Sequence, residues 1–474
     1  MQDRILIKDL HLNIGQEVVV AGWVDIRRDQ GKMVFFDMRD MSGKVQCVVL
    51  PANTEAIEIA KEIRPEWVLK ITGKVNKRPE KNINKDQPNG DIELEILKIE
   101  VLNKAQTPPF DVRSDGHEIG EDMRLQYRYL DLRRPRMQKN LRKRGEMIQF
   151  IRDYLVNKEN FVEIETPILT KTSPEGARDF LVPSRLNKGN FYALPQSPQQ
   201  YKQMIMVAGF EKYFQIARCF RDEDPRADRA YGEFTQLDLE MSFVEQEDIL
   251  SLVEKLFTEM IKKVFPEKKI TQTPWPRIAH KETMEKYGSD KPDLRKNKED
   301  KDELAFTWVI DFPLFTQQTK NDFYHGSGSA KFAPSHHMFT APHPDDISLL
   351  DSGPTKVRGL QHDLALNGYE VGGGSIRIHD RKVQEKVFDL IGFSEEQKNT
   401  FKHMLEAFTF GTPPHGGIAP GIDRLLLAIT GESSLRELMS FPKTGEGQDL
   451  MMNAPSEATP EQLKELGIKT EPRK

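Results

Sequence analysis

The sequence predicts an α+β, multidomain chain: a small N-terminal barrel of short strands, then a larger domain on a mainly antiparallel sheet flanked by helices. Three observations predict this. Residues 1–105 hold five β-rich runs separated by Gly and Asn breaks, the pattern of a small closed barrel. Residues 106–135 shift to prolines and charges with few aliphatics, as a linker does. From Phe161 onward strand and helix signals mix without the regular alternation of a doubly wound fold. A length of 474 residues fits two or three domains.

Taken in order, the runs are VVVAGWVDI (18–26), KMVFFDMRD (32–40), KVQCVVL (44–50), WVLKITGKV (67–75) and DIELEILKIEVL (91–102). One helix-like stretch lies near Ala56–Ile63. Five strands with one helix fit the OB barrel best, a fold that often binds oligonucleotides but does not prove that role. Phe35 and Phe36 point to opposite faces of their strand, so one of them leaves the core side. After the linker, Met137, Leu141, Ile148, Ile151 and Leu155 recur at helical spacing. This places the larger domain at 136–474. The stretch after Pro455 is polar and expected on the surface.

Composition excludes several classes. With 30% charged and 37% hydrophobic residues, the chain reads as an ordinary globular protein. No run of about 18 apolar residues exists to span a membrane, and the start, MQDRILIKDL, lacks a signal-peptide block. A cytoplasmic location is expected. Two cysteines, Cys47 and Cys219, make neither a disulfide framework nor a zinc cluster. The net charge of −5 requires any nucleic-acid binding to use local patches. Arg133, Arg134, Arg136, Lys139, Arg142, Lys143 and Arg144 form one basic cluster, for which a solvated helix face is the simpler reading.

Three segments carry candidate chemistry, in a chain without a P-loop or a strand-linked GxGxxG. In FVEIETPILTKTSPEGARDF (161–180) a β-rich run ends at Pro167 before a Ser-Pro-Glu-Gly turn. In YFQIARCFRDEDPRADRAYGEFTQLDLEMSF (213–243) two apolar strands flank a loop of alternating charge. Arg221 stands at a strand end, where a guanidinium fork can grip a phosphate, and Phe234 offers a flat face on the returning strand. In GTPPHGGIAPGIDRLLLAITG (411–431) glycines permit close backbone approach, and Asp423-Arg424 open an apolar helix whose N-terminus suits an anion.

Together, Pro167, Phe220-Arg221-x-Glu223 and Gly421-Ile422-Asp423-Arg424 resemble motifs 1, 2 and 3 of the class II aminoacyl-tRNA synthetases, in the right order. TSPEGARDF (172–180), ALPQSPQQYKQ (193–203), CFRDEDPRADR (219–229), EFTQLDLE (233–240), WVIDFP (308–313) and NGYEVGGGSIRIH (367–379) look like the bacterial-type aspartyl branch. The resemblance implies ATP and L-aspartate as substrates, Mg²⁺ on the phosphates and tRNA(Asp) as acceptor, with tRNA(Asn) open as a second one. It also implies a homodimer through the motif 1 region, to which Leu155 and Phe161–Ile164 would contribute. By the same resemblance Arg221, Glu223 and Arg424 are the catalytic set. ATP would meet Arg221, Asp222, Glu223, Phe234, Glu370, Gly421, Ile422, Asp423 and Arg424. Aspartate would meet Glu175, Ser197, Gln199, Lys202, Arg221, Asp238, His336 and Arg377, with Arg377 and Lys202 on its side-chain carboxylate and Ser197, Gln199 and Asp238 at its α-amino end. Asp363 and Glu370 would hold the metal, although their seven-residue spacing also fits one face of a helix. In the barrel, Arg28, Phe35, Gln46, Asn82 and Glu93 would read anticodon bases.

The chain departs from that pattern in three places. KYGSDKPDLR (286–295) reaches FTWVIDFP (306–313) through Lys296–Ala305 alone, so the large domain usual between motifs 2 and 3 is missing and a loop stands in its place. Residues 229–233 make the motif 2 loop one residue longer, and Met338 follows His337 where proline is usual. Rival readings are an asparaginyl- or lysyl-type relative, or a non-catalytic OB binder. Neither rival substrate has a carboxylate for Arg377 and Lys202.

Overall fold

A computed structural model describes residues 3–30, 33–172, 177–224, 230–318 and 331–471. It divides into two compact units, Met1–Ile119 with Arg133–Pro135, and Gly120–Leu132 with Arg136–Lys474.

In the smaller unit, β1 (Glu17–Gln30), β2 (Met33–Asp40), β3 (Gly43–Val49), β4 (Val68–Lys77) and β5 (Ile92–Asn103) close a barrel in the order β1-β2-β3-β5-β4. Side chains alternate across each strand. Val20, Phe36, Cys47, Ile71 and Leu94 fill the interior, while Phe35 stays half-exposed. Helix α1 (Thr54–Glu62) enters after Asn53, whose side-chain oxygen accepts the Ala56 N–H at 3.1 Å while its amide donates to the Leu97 carbonyl of β5 at 2.8 Å. One residue thus caps the helix and ties it to the barrel.

The stretch read as a linker holds two short helices, α2 (Glu121–Gln126) and α3 (Arg128–Asp131), and both group with the larger unit. Buried Arg128 donates to the carbonyls of Ser440, Arg436 and Met439 at 2.6–2.9 Å and pairs with Asp131 at 2.6 Å. Arg124 meets Glu437 at 2.7 Å. Charge here fixes position rather than freeing the chain, because buried ions must find partners.

In the larger unit, β6 (Val162–Glu163), β7 (Lys212–Arg221), β8 (Gly232–Ser242), β9 (Arg277–Ala279), β10 (Phe306–Ile310), β11 (Gln361–Leu366), β12 (Tyr369–Ile376) and β13 (His415–Pro420) form one sheet, ordered β9-β10-β11-β12-β13-β8-β7-β6. Only the outer pairs β9–β10 and β6–β7 are parallel, so the mainly antiparallel expectation is met. Helices α4 (Pro135–Asn157), α6 (Gln246–Val264) and α7 (Ile422–Thr430) give Ile151, Leu155, Val253, Phe257, Leu426 and Ile429 to the core, with Leu237 and Leu239 from β8. Helix α5 (Gln199–Val207) carries Gln199 and Lys202.

The basic cluster resolves into partnerships. Arg136 pairs with Glu432 and Glu437, Lys143 donates to the Val264 carbonyl, Arg144 pairs with Asp423, and Arg133 pairs with Glu66. The replaced insertion is a tight excursion in which Glu303 accepts the N–H groups of Lys296 and Asn297 at 3.1 Å; Glu303–Leu304 pairs in parallel with Lys269–Ile270. The polar C-terminal stretch contains a capped helix, Pro460–Leu466.

Candidate active site

Strand β8 shows how the site is made. Phe234, Gln236 and Asp238 face a cavity of about 300 Å³, while Leu237 and Leu239 between and beyond them join the core on the other side. Strand periodicity alone produces this division. Ser197, Gln199, Lys202, Arg221, Glu223, His336, Glu370, Arg377, Gly421, Asp423 and Arg424 line the same cavity. Residues more than two hundred positions apart are thereby gathered in one place.

At one end, two cations and two carboxylates are buried together. Lys202 Nζ lies 2.9 Å from Asp238 Oδ2 and 3.2 Å from Glu240 Oε2. Arg377 donates from Nε and Nη2 to Glu240 at 3.0 and 3.3 Å, and from Nη1 to Ser375 Oγ at 2.7 Å. Burial opposes ionisation of Glu240, but Arg377 and Lys202 hold it down to about 2. Burial pushes Asp238 the other way, above the usual carboxylate range, against Lys202. Among the described residues Asp238 Oδ1 accepts no hydrogen bond; the nearby Tyr213 hydroxyl donates to Gln215 at 2.9 Å. The end therefore offers an anion a guanidinium and an ammonium, and offers a cation an unfilled carboxylate oxygen. Sequence reasoning missed Glu240 and Ser375. The available signal for Glu240 was an acid two residues after Asp238, on the same strand face.

His336 opens onto the cavity, with its ring stacked on His337 at 5.3 Å. Its depth in the protein and the cations Arg377, Lys202 and Arg221 drive it down to about 3; the cations set that direction even for a ring that meets solvent. It is a neutral acceptor or donor at physiological pH. Glu175 lies outside the described residues. Its neighbour Ala177 is anchored by Gln196, which accepts the Ala177 N–H at 3.1 Å and donates to the Ala177 carbonyl at 2.9 Å.

At the other end, the Arg221 guanidinium sits 5.1 Å over the Phe234 ring, and among the described residues Arg221 Nε is buried without a partner. Arg424 donates to the Glu370 carbonyl at 2.8 Å, and its guanidinium is 3.9 Å from that carboxylate. Gly421 precedes α7 at the cavity wall. Asp423 is committed elsewhere: Arg144 takes one oxygen, and the Thr235 N–H donates to the other at 2.8 Å. It fixes α7 to α4 and β8. Two expected ATP contacts do not reach the cavity. Asp222 is engaged by Arg178 and the Tyr231 hydroxyl, and Ile422 is fully buried in the core because α7 turns it inward. Part of the longer motif 2 loop, 225–229, lies outside the described residues.

Asp363 and Glu370 stand on the neighbouring strands β11 and β12, not on a helix; a hairpin turn accounts for their spacing. Both approach Gly373: a Cβ there would meet Asp363 Oδ1 at 3.1 Å, His336 Nε2 at 3.4 Å and Glu370 Oε1 at 3.7 Å. Burial, then Glu370, drives Asp363 well above the usual carboxylate range. Such crowded negative charge suits a divalent cation. Among the described residues no group of three or more His, Cys, Asp or Glu forms a cage by itself. A hard cation that keeps water and takes substrate phosphate oxygens fits this pair.

In the barrel the register lines up Arg28 with Phe35, Asp37 with Gln46 and Gln46 with Glu93 on one outer face. Arg28 pairs with Asp37 at 3.2 Å, and Gln46 donates to Glu93 at 3.4 Å. Arg78, which the sequence did not single out, donates to Gln46 Oε1. Asn82 is exposed in a short 3₁₀ turn after β4.

The family described as tRNA synthetases class II (D, K and N) matches residues 120–445, and the OB-fold nucleic acid binding domain matches 18–102. The aspartate–tRNA(Asp/Asn) ligase of Syntrophomonas wolfei is 41% identical, covering 97% of this chain and 98% of that protein. That of Rubrobacter xylanophilus is 40% identical over 96% and 95%. The first alignment spans 586 positions, against 474 residues here, so that relative carries more than a hundred residues this chain lacks. Among solved structures, asparaginyl-tRNA synthetase from Pyrococcus horikoshii, complexed with asparaginyl-adenylate, superposes with a TM-score of 0.75 at 23% identity, covering 94% of this chain and 99% of that one. Aspartyl tRNA synthetase from Entamoeba histolytica gives 0.71 at 24%, covering 93% and 91%. At those identities the structures speak for the fold alone. The family match, the full-length relatives and the cavity agree: this chain belongs to the class II tRNA synthetases of the D, K and N group and lacks the large domain usual between motifs 2 and 3.

Proposed function

We propose that this protein is an aspartate–tRNA ligase that activates L-aspartate with ATP and transfers it to the 3′-terminal adenosine of tRNA(Asp), and of tRNA(Asn) as its relatives' names indicate. One observation carries the choice of amino acid. Arg377 and Lys202 are buried side by side at the closed end of the cavity, each oriented by Glu240. A guanidinium and an ammonium complement a side-chain carboxylate, and would leave the amide of asparagine poorly paired.

The chemistry needs no general base, because the aspartate α-carboxylate is already ionised. It attacks the α-phosphorus in line, pyrophosphate leaves, and aspartyl-adenylate results. The tRNA 3′-hydroxyl then attacks the mixed anhydride. Arg221 and Arg424 supply fixed positive charge to the phosphates, and the cavity supplies alignment. Asp363 and Glu370 would hold Mg²⁺, which when bound neutralises phosphate charge. Arg28, Phe35, Gln46, Asn82 and Glu93 would contact anticodon bases on the barrel face, by stacking and edge hydrogen bonds. Leu155 and Phe161 are core residues, so exposed Val162, Ile168 and Leu169 are better candidates for a homodimer surface; light scattering tests this. No helix among the described residues is long and apolar enough to cross a membrane, and a cytoplasmic location is in keeping with the activity.

The deciding experiment is aspartate-dependent charging of tRNA(Asp) and tRNA(Asn) transcripts. Charging of both is expected. Charging of tRNA(Asp) alone restricts the acceptor, and absence of aspartate-dependent ATP–pyrophosphate exchange overturns the reading.

A further inference from the structure

Behind the cavity a chain of hydrogen bonds runs from a backbone carbonyl to a side chain on the wall. His415 Nδ1 is 2.9 Å from the Pro413 carbonyl, His415 Nε2 is 3.1 Å from Gln203 Nε2, and Gln203 Oε1 is 3.1 Å from Gln199 Nε2. Gln203 and His415 have no measurable surface and Gln199 almost none. Only Gln199 lines the cavity.

The direction of this chain follows from donor and acceptor chemistry. A carbonyl only accepts, so the His415 proton must be on Nδ1. A neutral imidazole has one N–H, so Nε2 must accept. Gln203 must then turn its NH₂ toward His415 and its oxygen toward Gln199. Gln199 must answer with its NH₂, leaving its own oxygen to offer the cavity. Reversing either amide would set two donors or two acceptors against each other in a dry interior, where an unmade hydrogen bond is costly. Burial keeps His415 neutral, pushing it down to about 4 against the pull of Glu240 and the Pro413 carbonyl, with Arg377 and His379 adding to the push.

We propose that His415 and Gln203 are positioning residues that lock the Gln199 amide with its oxygen toward the cavity, and so, together with Asp238 Oδ1, create the acceptor pair that selects a substrate ammonium. The inference rests on the reading of this cavity as an aspartate site whose α-amino end meets Ser197, Gln199 and Asp238, and it adds what orients the Gln199 amide there. Neither residue touches substrate. Their influence passes through the orientation of one amide, which packing by itself would leave free to flip.

The test is a double-mutant cycle on the full chain, read as KM in ATP–pyrophosphate exchange. Gln203→Met cuts the chain while keeping side-chain volume. It is expected to raise the KM for aspartate about tenfold, the scale of a hydrogen bond to a charged group, with the KM for ATP within about twofold of wild type. In a Gln199→Glu background the same substitution is expected to raise the KM for aspartate no further, since a carboxylate presents oxygen whichever way it turns and loses with Gln203 only an acceptor facing an acceptor. An equal rise in both backgrounds, or a matching rise in the KM for ATP, would mean that Gln203 only supports packing, and overturns the proposal. Should Gln203→Met fail to fold, His415→Phe enters the same cycle with the same two outcomes. A wild-type chain without aspartate-dependent exchange takes down both this proposal and the functional reading; exchange with an additive cycle takes down this one alone.

Discussion

Arg377 is 2% exposed and still charged, so it must be neutralised where it lies. Glu240 does this from two atoms while leaving the guanidinium edge on the cavity. Removing Arg377 leaves Lys202 alone against two buried carboxylates, Glu240 and Asp238. Arg377→Met is expected to abolish aspartate-dependent exchange and to lower stability in urea unfolding by about 3 kcal/mol. Adding Glu240→Gln should return much of the stability and none of the activity; unchanged stability in the single variant would contradict this account. On the proposed function Arg221 acts differently, because it would meet the phosphate only when ATP is bound. Arg221→Ala is expected to slow adenylate formation by a factor on the order of 10²–10³ in stopped-flow measurements. Both arginines stood out in the sequence, since motif and charge mark them. Glu240, Ser375, Gln203 and His415 did not, because a buried acid or amide reads like any polar residue until its neighbours from other strands are known.

At the scale of elements, the site depends on how closely strands approach. A Cβ on Gly417 of β13 would lie 2.1 Å from the Leu239 carbonyl and 2.2 Å from Glu240 Oε2. Both are under van der Waals contact, and the first is backbone, which cannot swing aside. Gly417→Ala should therefore displace β13 from β8, disturb Glu240, and cost several degrees of melting temperature along with activity. Gly445→Ala, where a Cβ meets nothing within 4 Å, is the matched control expected to behave as wild type. Equal melting temperatures for the two would refute the packing argument. The same scale explains two readings that needed the structure. Asp363 and Glu370 have a helical spacing, yet the turn at Asn367-Gly368 sets them on neighbouring strands of a hairpin, Asp363 opposite Gly373 and Glu370 opposite Ala365. Asp423 looked like an ATP ligand because it precedes Arg424, whereas Arg144 and the Thr235 N–H already occupy both its oxygens.

Over the whole molecule, buried ionisable groups set the response to acid. His362 and His415 are fully buried. Burial moves them from 6.5 to about 3 and about 4. The unfolded chain therefore binds protons below about pH 6.5 that the folded chain refuses. Stability from this source is complete above pH 6.5 and is lost as pH falls through 4 to 3. Glu240 and Glu437 are held at about 2 against an ordinary 4.5; burial opposes this, but their arginine partners prevail. Their contribution is complete above pH 4.5 and lost toward 2. Thermal melts across pH should be level near neutrality, decline below 6.5 and steepen below 4.5. A melting temperature that held or rose between pH 6.5 and 4 would show that these histidines are not kept neutral by the fold.

By itself, the sequence determined the barrel, the mainly antiparallel second domain, the missing insertion and the identity of most charged residues around the cavity. Those follow from alternation, spacing and motif, which are local or nearly so. Only the tertiary structure decided which charges face the cavity and which are consumed as struts, as with Asp222 and Asp423, and which way each buried amide points. These are contests between partners far apart in the chain, settled by desolvation. In a dry interior every donor must find an acceptor, and the winner is known only when all the neighbours are in place.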